Sequence, residues 1–372
     1  MRKTVLWIMI IAIALSMIAT FSLSGCKDTA GEEAAGEEPA EEESAEESAE
    51  EESAEEEAGG EVVEEMEEYY AHPGGWWGIG VWQNVKYGGQ RFAEYFNGMG
   101  ENIMIEHPGP VGDDIDAVFA SLEATLAKDP IGIMWYPLNI GEGEMLQAYH
   151  DRGGYIVNWG GTQADYYEYD SLIGTDNINF GNEQAWWALD EMGDSFKVGI
   201  MTMTDLQTHI DRTQGVLDVF EDYPNVELVE PLMEQTGTSE GAAANASAYI
   251  AANPDVEVYL CTSALGGAAV ARAIKEAGYA PGEKMVLASD TDPELIELID
   301  EGYITGSLGQ SFAVESFYAF TMIKALYDQA TMITKDDAAN GIVPIPFKVV
   351  TPLHRVTADT TSAWEDMPQP QN

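Results

Sequence analysis

Basic residues are scarce in this chain of 372 residues. Lysine and arginine together number 16, whereas aspartate and glutamate number 66, and the formal net charge is −50. A chain of this charge is repelled by phosphate backbones and by anionic membrane surfaces. The composition therefore argues against nucleic acid, and against any anionic surface, as a direct partner.

Cysteine is almost absent as well. The two cysteines are Cys26 and Cys261. Two cysteines so placed do not make the dense disulfide framework of small secreted domains. Cys261 lies within an apolar run and is expected to be a buried thiol.

Catalytic and metal-binding motifs are also missing. The sequence contains no G-x-x-x-x-G-K-[ST] phosphate loop, no H-E-x-x-H pair and no G-x-S-x-G elbow. Its five histidines are scattered without the spacing of zinc ligands. Carboxylates are so numerous that pairs of them arise by chance. The sequence therefore predicts a protein that is not an enzyme and that needs no cofactor or metal.

The N-terminus has the pattern of an export signal, which we assign to residues 1–25. Arg2 and Lys3 precede an apolar run over residues 5–18. That run is short for a membrane span, which needs about 20 residues. Residues 27–70 then hold 21 acidic residues and one lysine. Such a tract cannot bury a core, so residues 26–70 are predicted to be a disordered acidic tether.

Beyond the tether, apolar runs alternate with helical runs. Strands are predicted at 77–81, 102–106, 131–136 and 155–158, with a loop over 82–87 and helices between the later strands. The pattern then repeats, with strands at 197–201 and 226–229 and helices at 181–192, 209–221 and 239–252. This alternation predicts an α/β fold of two doubly wound parallel-sheet lobes with a cleft between them.

Polar residues end three of the apolar runs between residues 256 and 310. They are Ser263, Asp290 and Gln310. Ligands of parallel sheets bind beyond the carboxyl ends of the strands. The three side chains therefore predict a site for a small polar ligand.

This stretch, with A-L-G at 264–266 followed by Asp290 and Gln310, resembles the periplasmic sugar-binding proteins of the ribose and galactose type. These are the solute receptors of ABC importers. Two further segments are similar to that family: residues 172–177, which resemble its V-G-x-D-N crossing between lobes, and Arg212-x-x-Gly215. The chain departs from the family at Leu260-Cys261, where an Asn-Asp pair is missing. It departs again at residues 158–161, where the charged Asp-Arg clamp is missing.

The resemblance implies a periplasmic binding protein type I fold with a multi-strand hinge. The first lobe would comprise residues 71–177 and 311–341, the second 178–310 and 342–360, and residues 361–372 would form a tail. It implies a monomer that passes its solute to a membrane permease of the ABC type. Residues 23–26, L-S-G-C, resemble a bacterial lipobox. That motif implies cleavage before Cys26 and a lipid anchor at Cys26 on the outer side of the membrane.

The resemblance also implies a set of ligand contacts. The loop after the first strand would supply an aromatic ring and an amide, for which Trp82, Asn84 and Tyr87 are the candidates. Trp159 could replace the missing charged clamp by stacking on the ligand, and His209 could offer a hydrogen bond. Trp135 and Tyr136 add aromatic side chains to the mouth of the cleft, whereas Arg212 is interpreted as a brace for its helix.

The ligand itself stays open at this stage. A sugar or polyol fits the polar strand ends and the aromatic rings. The missing charged clamp and the additional tryptophans also fit a nucleoside, a quorum signal or another neutral ring-bearing solute. In that alternative the protein would serve a sensor.

Overall fold

The computed structural model describes residues 67–365, except residues 79, 112–113, 139–140, 237 and 336. The predicted signal peptide, Cys26 and residues 26–66 of the predicted tether lie outside the described residues, as do residues 366–372. Among the helices of the described part, none is both long enough and apolar enough to cross a membrane.

The first lobe is built on a sheet of six parallel strands. These strands are β1 (Glu68–Ala71), β2 (Ile103–Glu106), β3 (Gly132–Trp135), β4 (Tyr155–Trp159), β5 (Ser171–Gly174) and β12 (Lys348–Val350). Their order is β12-β5-β4-β3-β1-β2, so the direction of winding reverses between β1 and β3. Four helices cover the two faces: α1 (Gly80–Asn97), α2 (Ile115–Leu126), α3 (Gly143–Asp151) and α9 (Phe312–Tyr327).

The second lobe has a sheet of seven strands. They are β6 (Lys197–Thr202), β7 (Glu227–Leu228), β8 (Met233–Glu234), β9 (Val258–Cys261), β10 (Met285–Ser289), β11 (Gly306–Gly309) and β13 (His354–Val356). The order is β13-β11-β10-β9-β6-β7, with β8 beside β6, and only β13 runs antiparallel to its neighbour. The helices of this lobe are α4 (Asn177–Met192), α5 (Gln207–Phe220), α6 (Ser239–Ala252), α7 (Ala264–Glu276), α8 (Pro293–Asp300) and α10 (Ser362–Glu365).

Alternate residues of the central strands face two separate cores, as expected for sheets covered on both sides. In the first lobe, Tyr70 and Met134 pack toward α1 and α9, whereas Ile133 and Trp135 pack toward α2 and α3. Trp135 is therefore a core residue. In the second lobe Cys261 is fully buried and unpaired, which confirms the prediction of a buried thiol.

The chain passes between the lobes three times. The crossings follow β5, β11 and β12. Because β5 lies beside β12 and β11 lies beside β13, the three connecting segments run close together. At the first crossing the Asp176 side chain accepts a hydrogen bond from the Asn179 N–H and begins α4. The prediction of two parallel-sheet lobes joined by a multi-strand hinge is confirmed.

The start of the first lobe was predicted incorrectly. The first strand is β1, within the predicted tether, and residues 80–97 form a helix where a strand at 77–81 and a loop at 82–87 were expected. The apolar run at residues 77–81 has the sequence pattern of a strand. The true first strand, β1, has only four residues and directly follows an acidic tract. Tyr70 and Ala71 are fully buried, so β1 is an interior strand despite that flank.

The end of the chain also departs from the predicted boundaries. The segment 342–360, assigned to the second lobe, contains β12, which pairs with β5 of the first lobe, and β13, which pairs with β11 of the second. Part of the predicted tail forms α10, whose Trp364 packs on the core of the second lobe. Hydrophobic periodicity identifies strands and helices but does not show which lobe a short strand joins, so these boundaries could not be predicted from it.

Candidate ligand-binding site

The facing edges of the two sheets carry most of the candidate residues. At the first sheet His72 follows β1, Tyr136 follows β3 and Trp159 ends β4; at the second Thr262 follows β9, Asp290 follows β10 and Gln310 follows β11. The two edges meet: the Tyr136 hydroxyl donates to Thr208 Oγ1 at 2.8 Å, and Thr162 Oγ1 lies 2.7 Å from the same atom. The lobes are therefore closed on each other.

Asp290 and Gln310 contact each other, as their positions at neighbouring strand ends predicted. Gln310 Nε2 donates to Asp290 Oδ1 at 2.5 Å, and both side chains are buried. Asp290 has a φ of 74°, a left-handed conformation that is uncommon outside glycine. Strained backbone of this kind is concentrated at functional sites.

Arg212 joins this pair, which the sequence analysis did not predict. Its guanidinium donates to Gln310 Oε1 at 3.1 Å, to Asn177 Oδ1 at 3.0 Å and to the Thr262 carbonyl at 2.7 Å. It also lies 4.1 Å from the centre of the Phe180 ring. Arg212 does brace α5, but the same contacts place its charge among the cleft residues.

Carboxyl groups surround this guanidinium. Burial raises the pKa of Asp290, against the opposing effect of Arg212. Burial likewise raises the pKa of Glu315, which accepts from Trp159 Nε1 at 2.6 Å and from the Thr351 hydroxyl. The pKa of Asp292 is raised to about 7 by burial and then by Asp290. The Arg212 guanidinium thus interacts with two carboxyl groups, Asp290 and Glu315, and Asp292 lies close to Asp290. This excess of carboxyl groups disfavours an anionic ligand.

Asp292 also connects the lobes. Its carboxylate accepts a hydrogen bond from the Val81 N–H in the first turn of α1. A Cβ atom on Gly80 would lie 2.4 Å from Asp292 Oδ1, so this approach depends on the glycine. The second lobe therefore caps the N-terminus of a first-lobe helix, where a negative charge is favourable.

The aromatic side chains form a wall on the first lobe. The Trp82 and Trp159 rings lie 5.0 Å apart, and Tyr136 lies 5.9 Å from Trp82 and 5.5 Å from Trp159. Two of the predicted contacts, Trp82 and Trp159, are thus brought together. Both are almost fully buried in the closed arrangement.

Asn84 and Tyr87 are not brought to this wall. The predicted loop would have allowed them to converge with Trp82, but all three lie on α1. Positions two and five residues beyond Trp82 are rotated about 200° and 140° around a helix, so the side chains leave in different directions. Both are only partly buried.

Ser263 and His209 have protein partners in this structure. Ser263 Oγ accepts from the Gly266 N–H at 3.1 Å, which caps α7, and donates to Gln235. His209 Nδ1 lies 2.8 Å from Thr262 Oγ1, and burial lowers the pKa of His209 to about 3. Their predicted contact with ligand stays a prediction.

Three further residues were missed by sequence reasoning. Glu315 lies in the first turn of α9 and is the one carboxylate of that helix, which was an available signal. Asp292 follows Asp290 so closely that it could have been read with it. His72 was hidden because it follows the strand that was not predicted.

Comparison with known proteins bears on this arrangement. Residues 76–331 match the family model described as "Periplasmic binding protein domain". Similar solved structures include a sugar-binding protein of a sugar ABC transporter from Bacillus halodurans, with 23% identity, coverage of 80% of this chain and 99% of that chain, and a TM-score of 0.69. No curated protein matches the chain.

Two more solved structures show the same fold. AraP, an arabinose-binding protein from Geobacillus stearothermophilus, has 21% identity and a TM-score of 0.66 over 80% of this chain and 98% of that chain. A solute-binding protein from Burkholderia graminis, in complex with D-arabinose, has 16% identity and a TM-score of 0.69 over 80% of this chain and 97% of that chain.

Proposed function

The chain belongs to the periplasmic binding protein family, and from this premise we propose that it is an exported receptor that captures a neutral sugar or polyol between its lobes. The observation that carries the proposal is the pairing of the Asp290–Gln310–Arg212 network with the Trp82–Trp159 wall across the closed interface. The arabinose named for AraP and for the Burkholderia complex supports the same class of ligand.

The two sides would contribute different interactions. An indole ring stacks on the weakly apolar C–H face of a sugar. Asp290 still has acceptor capacity for ligand hydroxyls, because a carboxylate offers about four lone-pair sites. Three of the five Arg212 N–H groups donate to described residues, so the guanidinium also retains donors. Each well-made hydrogen bond would add about 1 kcal/mol net, and more where a charge takes part.

Closure would couple binding to transport. A ligand can enter only when the Tyr136–Thr208 contact opens, and hinge motion about the three crossings is the natural movement of such lobes. We infer that the closed form presents a surface made by both lobes to an ABC-type permease. A lipid on Cys26 would hold this monomeric receptor at the outer face of the membrane, with the acidic tract as a spacer.

A ring-bearing neutral solute, such as a nucleoside or a quorum signal, is the second candidate. It is favoured by the number of aromatic side chains at the cleft and by the missing charged pair at residues 158–161. In that case the closed form could be read by a sensor rather than by a permease.

A thermal-shift screen of the purified full chain separates these candidates. A ligand at about 100 times its dissociation constant adds about 2.7 kcal/mol to stability, which raises Tm by several degrees. Shifts with monosaccharides or polyols support the proposed function, and shifts only with nucleosides support the second candidate. No shift with any compound would refute both.

Substitution at Asp290 tests the site. Asp290→Ala should weaken binding of the positive compound by about tenfold or more, because it removes a charged acceptor from the network. The matched control is Asp218→Asn on the exposed side of α5, which should leave affinity unchanged. Equal affinities in the two variants would sink the assignment of Asp290.

A further inference from the structure

His72 occupies the point where the winding of the first sheet reverses. It directly follows β1, and Tyr136 directly follows the neighbouring strand β3. In doubly wound sheets the ligand crevice opens between these two strands, because their connections leave toward opposite faces. His72 is therefore at the floor of the cleft on the first lobe.

The imidazole of His72 is fully buried, yet neither of its ring nitrogens has a hydrogen-bond partner among the described residues. Buried polar atoms without a partner lose their hydrogen bonds to water and gain none in return, so they destabilise the folded state. They are rare in native proteins and call for an explanation, such as completion by a bound molecule.

The surroundings of His72 belong to the aromatic wall. Its ring stacks on Trp82 with a centroid distance of 5.6 Å and an interplanar angle of 29°, and meets Trp159 edge-on at 6.0 Å. Burial, with the neighbouring His107, lowers the pKa of His72, so the ring is neutral. A neutral imidazole carries one N–H donor and one nitrogen acceptor.

We propose that His72 contacts the ligand and recognises a pair of neighbouring hydroxyl groups on a neutral sugar or polyol. The ring N–H would donate to one hydroxyl, and the other ring nitrogen would accept from the second. This inference rests on the proposed function and extends it, because it adds a hydroxyl-reading group to the aromatic side of the cleft. Asp290 and Gln310 then bind hydroxyls from the second lobe while His72 binds from the first.

His107 provides a matched control. Its two ring nitrogens are also buried and unpartnered, but the residue is only partly buried and follows β2, the edge strand away from the reversal point. A Cβ on Gly89 would lie 2.6 Å from its Cε1 atom, so the ring packs against the middle of α1. The two histidines share their chemistry and their unpartnered nitrogens, and their ring centres lie 6.2 Å apart, but only His72 is at the reversal point.

The experiment uses isothermal titration calorimetry of the full chain with L-arabinose, D-xylose, D-ribose, D-glucose and D-galactose. For a sugar that binds the parent chain, His72→Phe should raise Kd about tenfold or more, the equivalent of one or two lost hydrogen bonds. His72→Gln, which keeps a donor and an acceptor, should recover part of that loss. His107→Phe should raise Kd clearly less than His72→Phe does, because its ring lies one strand further from the reversal point, 6.2 Å from that of His72.

Nuclear magnetic resonance on the unsubstituted chain keeps the test independent of folding. With ¹⁵N-labelled histidine, only five side chains give ring signals. The same sugar should shift the signals of the His72 nitrogens more than those of His107, whose ring centre lies 6.2 Å from that of His72. Unchanged His72 signals, or an unchanged Kd in a folded His72→Phe variant, would overturn the inference while the proposed function stands. If no sugar bound the parent chain, both would be overturned.

Discussion

Acid should destabilise this protein partly through His107. Burial, and then the charge of Lys86, lowers the pKa of His107 to about 3, against 6.5 for a free side chain. Between these values the unfolded chain binds a proton that the folded chain does not. Above pH 6.5 the histidine is uncharged in both states, so His107 does not change the free energy of unfolding. As the pH falls below 6.5, the free energy of unfolding decreases.

The size of the loss follows from the difference in proton binding. Each pH unit below the unfolded pKa costs about 1.4 kcal/mol per histidine, so His107 alone should remove about 2 kcal/mol at pH 5. That is a large share of a typical free energy of unfolding of 5–15 kcal/mol.

Denaturant unfolding of the parent chain and of His107→Phe between pH 8 and pH 5 measures this quantity. The difference between the two curves cancels the many carboxylates that both chains share. The parent should lose about 2 kcal/mol relative to the variant by pH 5. His150 is the control of opposite sign: its hydrogen bond with Asp170 raises its pKa, so the parent should gain relative to His150→Gln in acid. Parallel curves for parent and His107→Phe would refute the reasoning.

Two other substitutions test the closure and the core. Gly80→Ala places a Cβ 2.4 Å from Asp292 Oδ1 and should disrupt the cap across the lobes. If the closed form loses about 1 kcal/mol relative to the open form, sugar affinity should weaken about fivefold and the radius of gyration in X-ray scattering should increase. The control is Gly98→Ala, whose Cβ would meet only Glu94 and Tyr95 and which should change neither quantity. Lys324→Met removes a buried ammonium paired with Glu68 and Asp328, and should cost roughly 2 kcal/mol in urea unfolding. Lys275→Met, at an exposed pair, should cost clearly less than Lys324→Met, and equal losses would contradict the argument.

The fold was largely predictable because its elements follow local rules. Helix α6 begins and ends at the predicted residues 239 and 252, with Thr238 as its N-cap. Asp290 and Gln310 could be chosen because a polar residue that ends a parallel strand has a defined place in space. The first strand failed because four residues beside an acidic tract give too short a pattern for periodicity to detect.

The candidate site was less predictable because burial there depends on distant segments. Arg212 and Glu315 are 103 positions apart and become cleft residues only when the first and second crossings bring their helices to the same edge. Asn84 and Tyr87 are separated from Trp82 for a local reason. Their spacing suits a loop, and once the segment is a helix the same spacing directs the side chains apart.

The closed arrangement is stabilised by the protein's own contacts. Tyr136 and Thr162 of the first lobe meet Thr208 of the second, and Asp292 caps α1 from across the cleft. A ligand then need not create the closed form; it only has to bind it more tightly than the open form and shift the population. Such a ligand must also satisfy carboxyl groups that outnumber the single guanidinium. A neutral molecule rich in hydroxyl donors does this without adding charge, whereas a phosphate or carboxylate would meet Asp290 and Glu315 at close range.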